Sequence, residues 1–217
     1  FQGAYAVGLL AFGWFVDRYG TKIGYAVSLV AWSVMAMAHA LVGSVGGFFM
    51  ARAALGFSEG GNFPSAIKAV ALWFPKRERA FATAIFNSGT NVGALIAPAV
   101  IPWIALTFGW RWAFVLAGAA GFIWLLFWFP MYDVPEKRPG MTREELAHIL
   151  SDRDDQGTGG APMGWLASLR HRQTWSFVAA KFMTDPVWWF YLIWLPDYFK
   201  ATRGLNIKSS WVHIVTI

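Results

Sequence analysis

The chain has 217 residues, of which 57% are hydrophobic and only 14% charged, whereas about a quarter of residues are charged in soluble domains. These proportions exclude an ordinary soluble domain and indicate that lipid surrounds most of the chain. Cysteine is absent, which excludes a disulfide framework and a thiolate metal site. The net charge is +6, but its basic residues are spread over short loops, a distribution that favours orientation in a membrane over binding to nucleic acid.

The sequence predicts no enzyme and no cofactor. Its four histidines lack metal-ligand spacing, and no phosphate-binding glycine loop or nucleophile elbow is present.

Six apolar runs are long enough to cross a bilayer, and a seventh begins at residue 209. In chain order they cover residues 1–16, 23–42, 47–74, 80–107, 111–131, 174–199 and 209–217. Because lipid cannot satisfy backbone polar groups, each run is predicted to be a helix, which makes this an all-α membrane protein. Residues 1–131 form one group of helices, residues 132–173 a central loop, and residues 174–217 the start of a second group.

The central loop is polar and predicts one short helix after Thr142, with Thr142 as the N-cap and Glu145 three residues on. Basic residues set the orientation. If residues 17–22 are cytoplasmic, eleven Lys and Arg residues lie on that side and four on the other, as the positive-inside rule requires. We therefore expect residues 132–173 in the cytosol and residues 200–208 outside.

The end of the first run and the loop after it contain five residues of interest, Gly13, Asp17, Arg18, Gly20 and Lys22. Gly20 permits a tight turn, Asp17 can take a basic partner, and Arg18 and Lys22 hold the loop in the cytosol. A generic charged turn is the alternative interpretation. Between two spans, however, this string resembles the signature loop joining the second and third helices of the major facilitator superfamily.

This resemblance implies a particular register for the predicted helices. The chain would be a fragment of the major facilitator fold that carries helices two to seven and the start of helix eight, of an expected twelve. The central loop would then join two six-helix halves.

Three further sequence segments indicate a particular family within this superfamily. They are RAALGFSEGGNFP from Arg52, PKRERAFATAIFNSGTNVG from Pro75 and KFMTDPVWWFYLIWLPDYF from Lys181. They are similar to the anion:cation symporter family, and within it to bacterial hexuronate transporters. The resemblance implies a monomeric symporter of the bacterial inner membrane that imports a sugar acid, such as a hexuronate, with protons. The alternatives are another organic anion, such as galactonate or an aromatic or dicarboxylic acid, and, from a different class, a membrane receptor or channel.

Arg52 and Glu59 are seven residues apart, so on a helix they share one face about 10 Å apart, with Gly56 between them. Counted from the outer end of the third run, Arg52 lies in the outer half of the membrane and Glu59 near its midplane. Ionisable residues inside a membrane usually line a substrate or proton path. The resemblance associates the position of Glu59 with proton coupling and that of Arg52 with coupling or anion binding. A structural pair that fixes the helix to a neighbour is the alternative.

Asn87 and Asn91 lie four residues apart in the fourth run, and both could bind sugar hydroxyl groups. Gly89 and Gly93 have the GxxxG spacing of packed helices, so the asparagines could instead join two helices.

The sixth run carries further candidates. Lys181 and Asp185 either face the cavity or neutralise each other at their four-residue spacing, and Pro186 is predicted to interrupt the helix. Trp188 and Tyr191 could pack on a sugar ring, or belong to the aromatic belt at the membrane surface.

Overall fold

The structure is a computed structural model that describes residues 1–151, 167 and 169–203, apart from the side chains of Leu192 and Pro196. The predicted seventh run, residues 209–217, lies outside the described residues, as do residues 152–166 of the central loop. The chain forms two compact units, Phe1–Asp155 and Gln156–Ile217, and each is described by itself.

Over the described ranges the fold is helical and contains no strand, which confirms the all-α prediction. In the first unit the helices are α1 (Gln2–Tyr19), α2 (Thr21–Ala38), α3 (Val45–Glu59), α4 (Asn62–Trp73), α5 (Arg79–Thr107), α6 (Trp110–Met131) and α7 (Arg143–Leu150). The second unit contributes α8 (Arg172–Arg203). Two 3₁₀ turns, His39–Leu41 and Pro135–Lys137, follow α2 and α6.

Three described stretches are both long and apolar enough to cross a membrane, namely Thr21–Leu41, Arg79–Thr107 and Trp110–Met131. The sequence predicted six spans, and one physical reason for the difference is a division of the third run. That run is not one helix but α3 and α4, which are separated at Gly60 and Gly61. Each part is shorter than the roughly 20 residues that a single crossing requires, but both glycines keep right-handed helical angles, so the run is one kinked span.

Several helix ends form as the sequence predicts. Gly20 lies between α1 and α2 with φ of 85°, a conformation that glycine adopts without steric cost. Thr142 caps α7, and Glu145 returns the bond with an oxygen 3.0 Å from the Thr142 backbone nitrogen. The capping box predicted for the central loop is therefore confirmed.

Close helix packing relies on small residues. Between α2 and α6, a Cβ atom on Gly118 would lie 2.6 Å from the Ser33 carbonyl oxygen, so only glycine permits this approach. Ala26, Leu29 and Leu125 form the buried cluster beside it. By contrast, Gly89 and Gly93 were expected to pack against a neighbouring helix, but no other described atom lies within 4 Å of a Cβ at either position. That prediction was wrong for the described part of the chain.

Candidate functional site

The break between α3 and α4 is the centre of the candidate site. Glu59 is the last residue of α3 and Asn62 the first of α4, with Gly60 and Gly61 between them. A Cβ atom on Gly60 would lie 2.7 Å from the backbone of Gly8 in α1, so the break presses directly on that helix. Interrupted helices are tolerated within membranes only where protein or a cavity surrounds them.

Side-chain hydroxyl groups satisfy backbone oxygens around this break. Ser28 of α2 donates to the Ser58 carbonyl oxygen at 2.7 Å, and Ser65 donates to the Gly61 carbonyl oxygen at 2.6 Å. All three serines are buried. Because each buried polar group has a partner, these bonds fix the interrupted backbone in one conformation.

Glu59 and Arg52 both lie on α3, which is continuous over the two turns between them. Glu59 is half-buried and lies within electrostatic range of Tyr5 on α1 and of Arg52. Arg52 is exposed, with its Cζ atom 5.0 Å from the centre of the Phe1 ring. Neither Arg52 nor Glu59 forms an ion pair within 4.0 Å with any described residue.

Helix α5 approaches the break through an aromatic contact. The rings of Phe63 in α4 and Phe86 in α5 have centres 6.1 Å apart. Asn87 follows Phe86 directly and Asn91 lies one turn further, and both are exposed. The structure thus brings the Asn87 turn of α5 beside the segment that follows Glu59.

The candidates on α8 belong to the second unit and are described within it. Lys181 and Asp185 form an ion pair of 2.7 Å, in agreement with the interpretation of mutual neutralisation. They line a cavity of about 450 Å³ with Pro186. Trp188 and Tyr191 are more than half exposed. The helix continues through Pro186, so the predicted interruption there was wrong.

The signature loop is tied to the helices around it. Asp17 accepts from Lys68 of α4 at 2.7 Å, and Lys68 also donates to the Val16 carbonyl oxygen at 3.0 Å. Lys22 pairs with Asp133, beyond the end of α6, at 3.1 Å. The basic partner expected for Asp17 is therefore present.

Two other residues of the signature loop make fewer contacts with their surroundings. Arg18 is exposed, and a Cβ on Gly13 would have no other described atom within 4 Å.

Sequence reasoning missed Lys68 and Asp133. Lys68 is the one Lys or Arg in the apolar run 47–74 besides Arg52, and this was the available signal, because a charge inside such a run needs a partner. Asp133 had no such signal, since it lies in a polar segment. The backbone N–H of Val134 and the Lys22 ammonium group together hold the pKa of the Asp133 carboxyl below its usual range.

No group of three His, Asp or Glu side chains suited to a metal ion occurs in the described ranges. Chemically, α3 offers one carboxyl group at the break and one guanidinium group two turns earlier, and α5 offers amides nearby. Such a set can bind an anion and exchange a proton.

Comparison with known proteins gives consistent matches. The profile of the Major Facilitator Superfamily matches residues 1–217. A hexuronate transporter of Escherichia coli K12 is 36% identical over 96% of this chain and 49% of its own length. A galacturonate transporter of Dickeya chrysanthemi is 33% identical over 91% of this chain and 58% of its own length. A D-galactonate transporter of Escherichia coli O6:H1 is 30% identical over 94% of this chain and 50% of its own length. The chain thus spans about half the length of these curated relatives.

Proposed function

This chain belongs to the major facilitator superfamily, and from that premise we propose that the protein imports a sugar acid, with a hexuronate as the first candidate, together with protons. The observation that carries the proposal is the interrupted helix α3–α4, which places Glu59 beside α1 while Arg52 has no ion-pair partner among the described residues.

The guanidinium group of Arg52 would hold the substrate carboxylate. A planar guanidinium forms two parallel hydrogen bonds to a carboxylate, which supplies both affinity and orientation. Asn87 and Asn91 would contact the hydroxyl groups, since amides both donate and accept hydrogen bonds. The relatives are named as transporters of hexuronate, galacturonate and D-galactonate, all of which combine one carboxylate with several hydroxyl groups.

Within the second unit, Lys181, Asp185, Trp188 and Tyr191 would also contact the substrate. The aromatic rings suit the C–H face of a sugar. The Lys181–Asp185 pair would open when a substrate carboxylate competes for the ammonium group, because the two charges otherwise neutralise each other.

Glu59 would be the proton-coupling residue. Protonation removes one charge from the cavity, which lowers the cost of reorienting a loaded carrier within lipid. Substrate bound to Arg52 and a proton bound to Glu59 would together leave the site near neutrality. The signature loop, with its Asp17–Lys68 contact, would break and re-form as the two halves rock.

A second candidate is the same transporter for a different sugar acid. Relatives that match similar proportions of the chain are named as probable galactarate/D-glucarate transporters, and these substrates carry two carboxylates. A dicarboxylate would need a second cation, for which Lys181 is the candidate on α8.

The proposal is tested by uptake into proteoliposomes that contain the full-length protein. Radiolabelled glucuronate, galacturonate, galactonate and glucarate are each offered with and without an inward proton gradient. We expect a hexuronate to accumulate only with the gradient. Equal uptake in both conditions, or accumulation that requires sodium, would contradict the proposed coupling.

A further inference from the structure

Two cavities adjoin in the first unit, away from the Glu59 break. One is a groove of about 530 Å³ between α4 and α6, and it is lined almost wholly by apolar and aromatic side chains. The other has a volume of about 630 Å³ and lies between the end of α6 and helix α7, with Arg138, Glu144 and His148 among its lining residues. Trp73 and Met131 line both, so the cavities form one continuous surface that is apolar at one end and charged at the other.

The apolar groove has a rigid aromatic wall on α6. The ring centres of Trp124 and Trp128 are 4.7 Å apart, and those of Trp128 and Tyr132 are 3.9 Å apart, with the planes nearly parallel in both pairs. Phe127 and Met131 beside them are more than 60% exposed. In a membrane, an exposed apolar surface of this kind contacts the hydrocarbon chains of lipids.

Two tryptophans place the groove at the boundary between lipid chains and headgroups. Trp73 donates to the Asp133 carbonyl oxygen at 3.0 Å, and Trp128 donates to the Lys22 carbonyl oxygen at 3.1 Å. The indole N–H groups thus point to the end of the bundle that carries the polar loops, while the rings line the groove. Tryptophan adopts this arrangement at the boundary between acyl chains and lipid headgroups.

In the charged cavity, Arg138 and Glu144 are the charged groups that form no hydrogen bond or ion pair with another described side chain. The backbone N–H and the side-chain hydroxyl of Thr142 both donate to Glu145 and hold the pKa of its carboxyl group below the usual range. His148 contacts Glu78 at 2.9 Å. Arg138 uses one N–H group on the Met131 carbonyl oxygen, and its guanidinium has further donors. Glu144 is exposed in the first turn of α7 and has no ion-pair partner among the residues that the structure describes.

We propose that this surface binds a phospholipid with a zwitterionic, primary-ammonium headgroup, of the phosphatidylethanolamine class. The phosphate would accept hydrogen bonds from Arg138, the ammonium group would donate to Glu144, and an acyl chain would lie along the Trp124–Trp128–Tyr132 wall. An anionic headgroup satisfies only Arg138 and meets the Glu144 carboxylate. A quaternary ammonium headgroup satisfies the charge of Glu144 but has no N–H group to donate.

Native mass spectrometry of the full-length protein tests this, with phosphatidylethanolamine, phosphatidylcholine and phosphatidylglycerol of identical acyl chains titrated separately. We expect the ethanolamine lipid to bind about three- to tenfold more tightly than either of the others, the range of a charge-assisted hydrogen bond at a partly exposed site. Arg138→Gln should weaken all three lipids, because all three contain phosphate. Glu144→Gln should remove the preference for ethanolamine. It should weaken phosphatidylethanolamine most and phosphatidylcholine less, because both ammonium groups lose the carboxylate but only the primary one also loses a charge-assisted hydrogen bond.

Arg143→Gln is the matched control, since Arg143 begins the same helix but does not line the cavity. It should bind all three lipids as the wild type does. Phe127→Ala alters only the apolar groove and should weaken the three lipids alike. Equal binding of the three lipids by the wild type, a preference for phosphatidylglycerol, or an ethanolamine preference that survives Glu144→Gln would each overturn the proposal.

Discussion

Glu59 combines features that rarely occur together at one residue. It is half-buried, it is the last residue of α3, and it has no ion-pair partner within 4.0 Å among the described residues. A purely structural carboxylate in such surroundings would be expected to have a fixed cation, because an unpaired buried charge is costly. Our proposal accounts for this charge by an exchange of protons during the transport cycle.

Glu59→Gln mimics the protonated acid, so it should abolish accumulation driven by a proton gradient while leaving substrate exchange intact. Counterflow and gradient-driven uptake, measured in the same proteoliposomes, separate the two activities. Glu136→Gln makes the same chemical change in the 3₁₀ turn after α6 and should behave as the wild type. If Glu59→Gln still concentrates substrate at the wild-type level, the proton site lies elsewhere.

Arg52→Lys preserves the charge but removes the planar fork that fits a carboxylate. We expect the KM for uptake to rise roughly tenfold, which corresponds to about 1.4 kcal/mol and to the loss of one charge-assisted hydrogen bond. Arg77→Lys, in the exposed loop between α4 and α5, is the control and should leave the KM unchanged. An unchanged KM in Arg52→Lys would remove Arg52 from the binding site.

At the scale of the helices, the contact between α1 and the α3–α4 break depends on Gly60. Its added Cβ in Gly60→Ala would lie 2.7–2.8 Å from α1 backbone atoms, and backbone cannot move aside as a flexible side chain can. We expect a loss of stability of about 1–3 kcal/mol, the usual cost of overpacking. Thermal unfolding in detergent measures it.

Gly89→Ala is the matched control for Gly60→Ala. It places a Cβ within 4 Å of no other described atom and lies inside helix α5, so it should be neutral or slightly stabilising. A Gly60→Ala protein as stable as Gly89→Ala would show that the α1 contact is not tight.

The sequence allowed parts of this architecture to be predicted and not others, for physical reasons. The turn at Gly20 and the capping box at Thr142 depend on neighbouring residues, so local chemistry was sufficient. The break at Gly60 and Gly61 was missed because Gly is common in uninterrupted membrane helices too, and an apolar run reports length rather than continuity. Pro186 gave the opposite error, because a membrane helix can continue through proline when other groups satisfy the freed carbonyl oxygen.

The residues proposed for the site show the same division. The register placed Arg52 and Glu59 on one helix, because a two-turn spacing needs no tertiary information. The approach of Asn87 depends on the contact of Phe63 with Phe86, which joins separate helices, and no local pattern encodes it.

At the scale of the whole molecule, the orientation in the membrane follows from the asymmetry of basic residues, and residues 132–173 are predicted to be cytoplasmic. Because the chain has no cysteine, a single Gly157→Cys substitution gives an unambiguous label. An impermeant maleimide should react with it only after the cells are permeabilised. Labelling in intact cells would show that residues 132–173 lie outside the cell and that the predicted orientation is wrong.

The central claim is that sugar acid and proton cross the membrane together. It is tested most directly by loading proteoliposomes of the full-length protein with a pH-sensitive dye, imposing no gradient and adding glucuronate or galacturonate outside. The account predicts internal acidification that depends on substrate concentration, is abolished by a protonophore and is absent in Glu59→Gln. Uptake of the labelled acid with no accompanying acidification would contradict it.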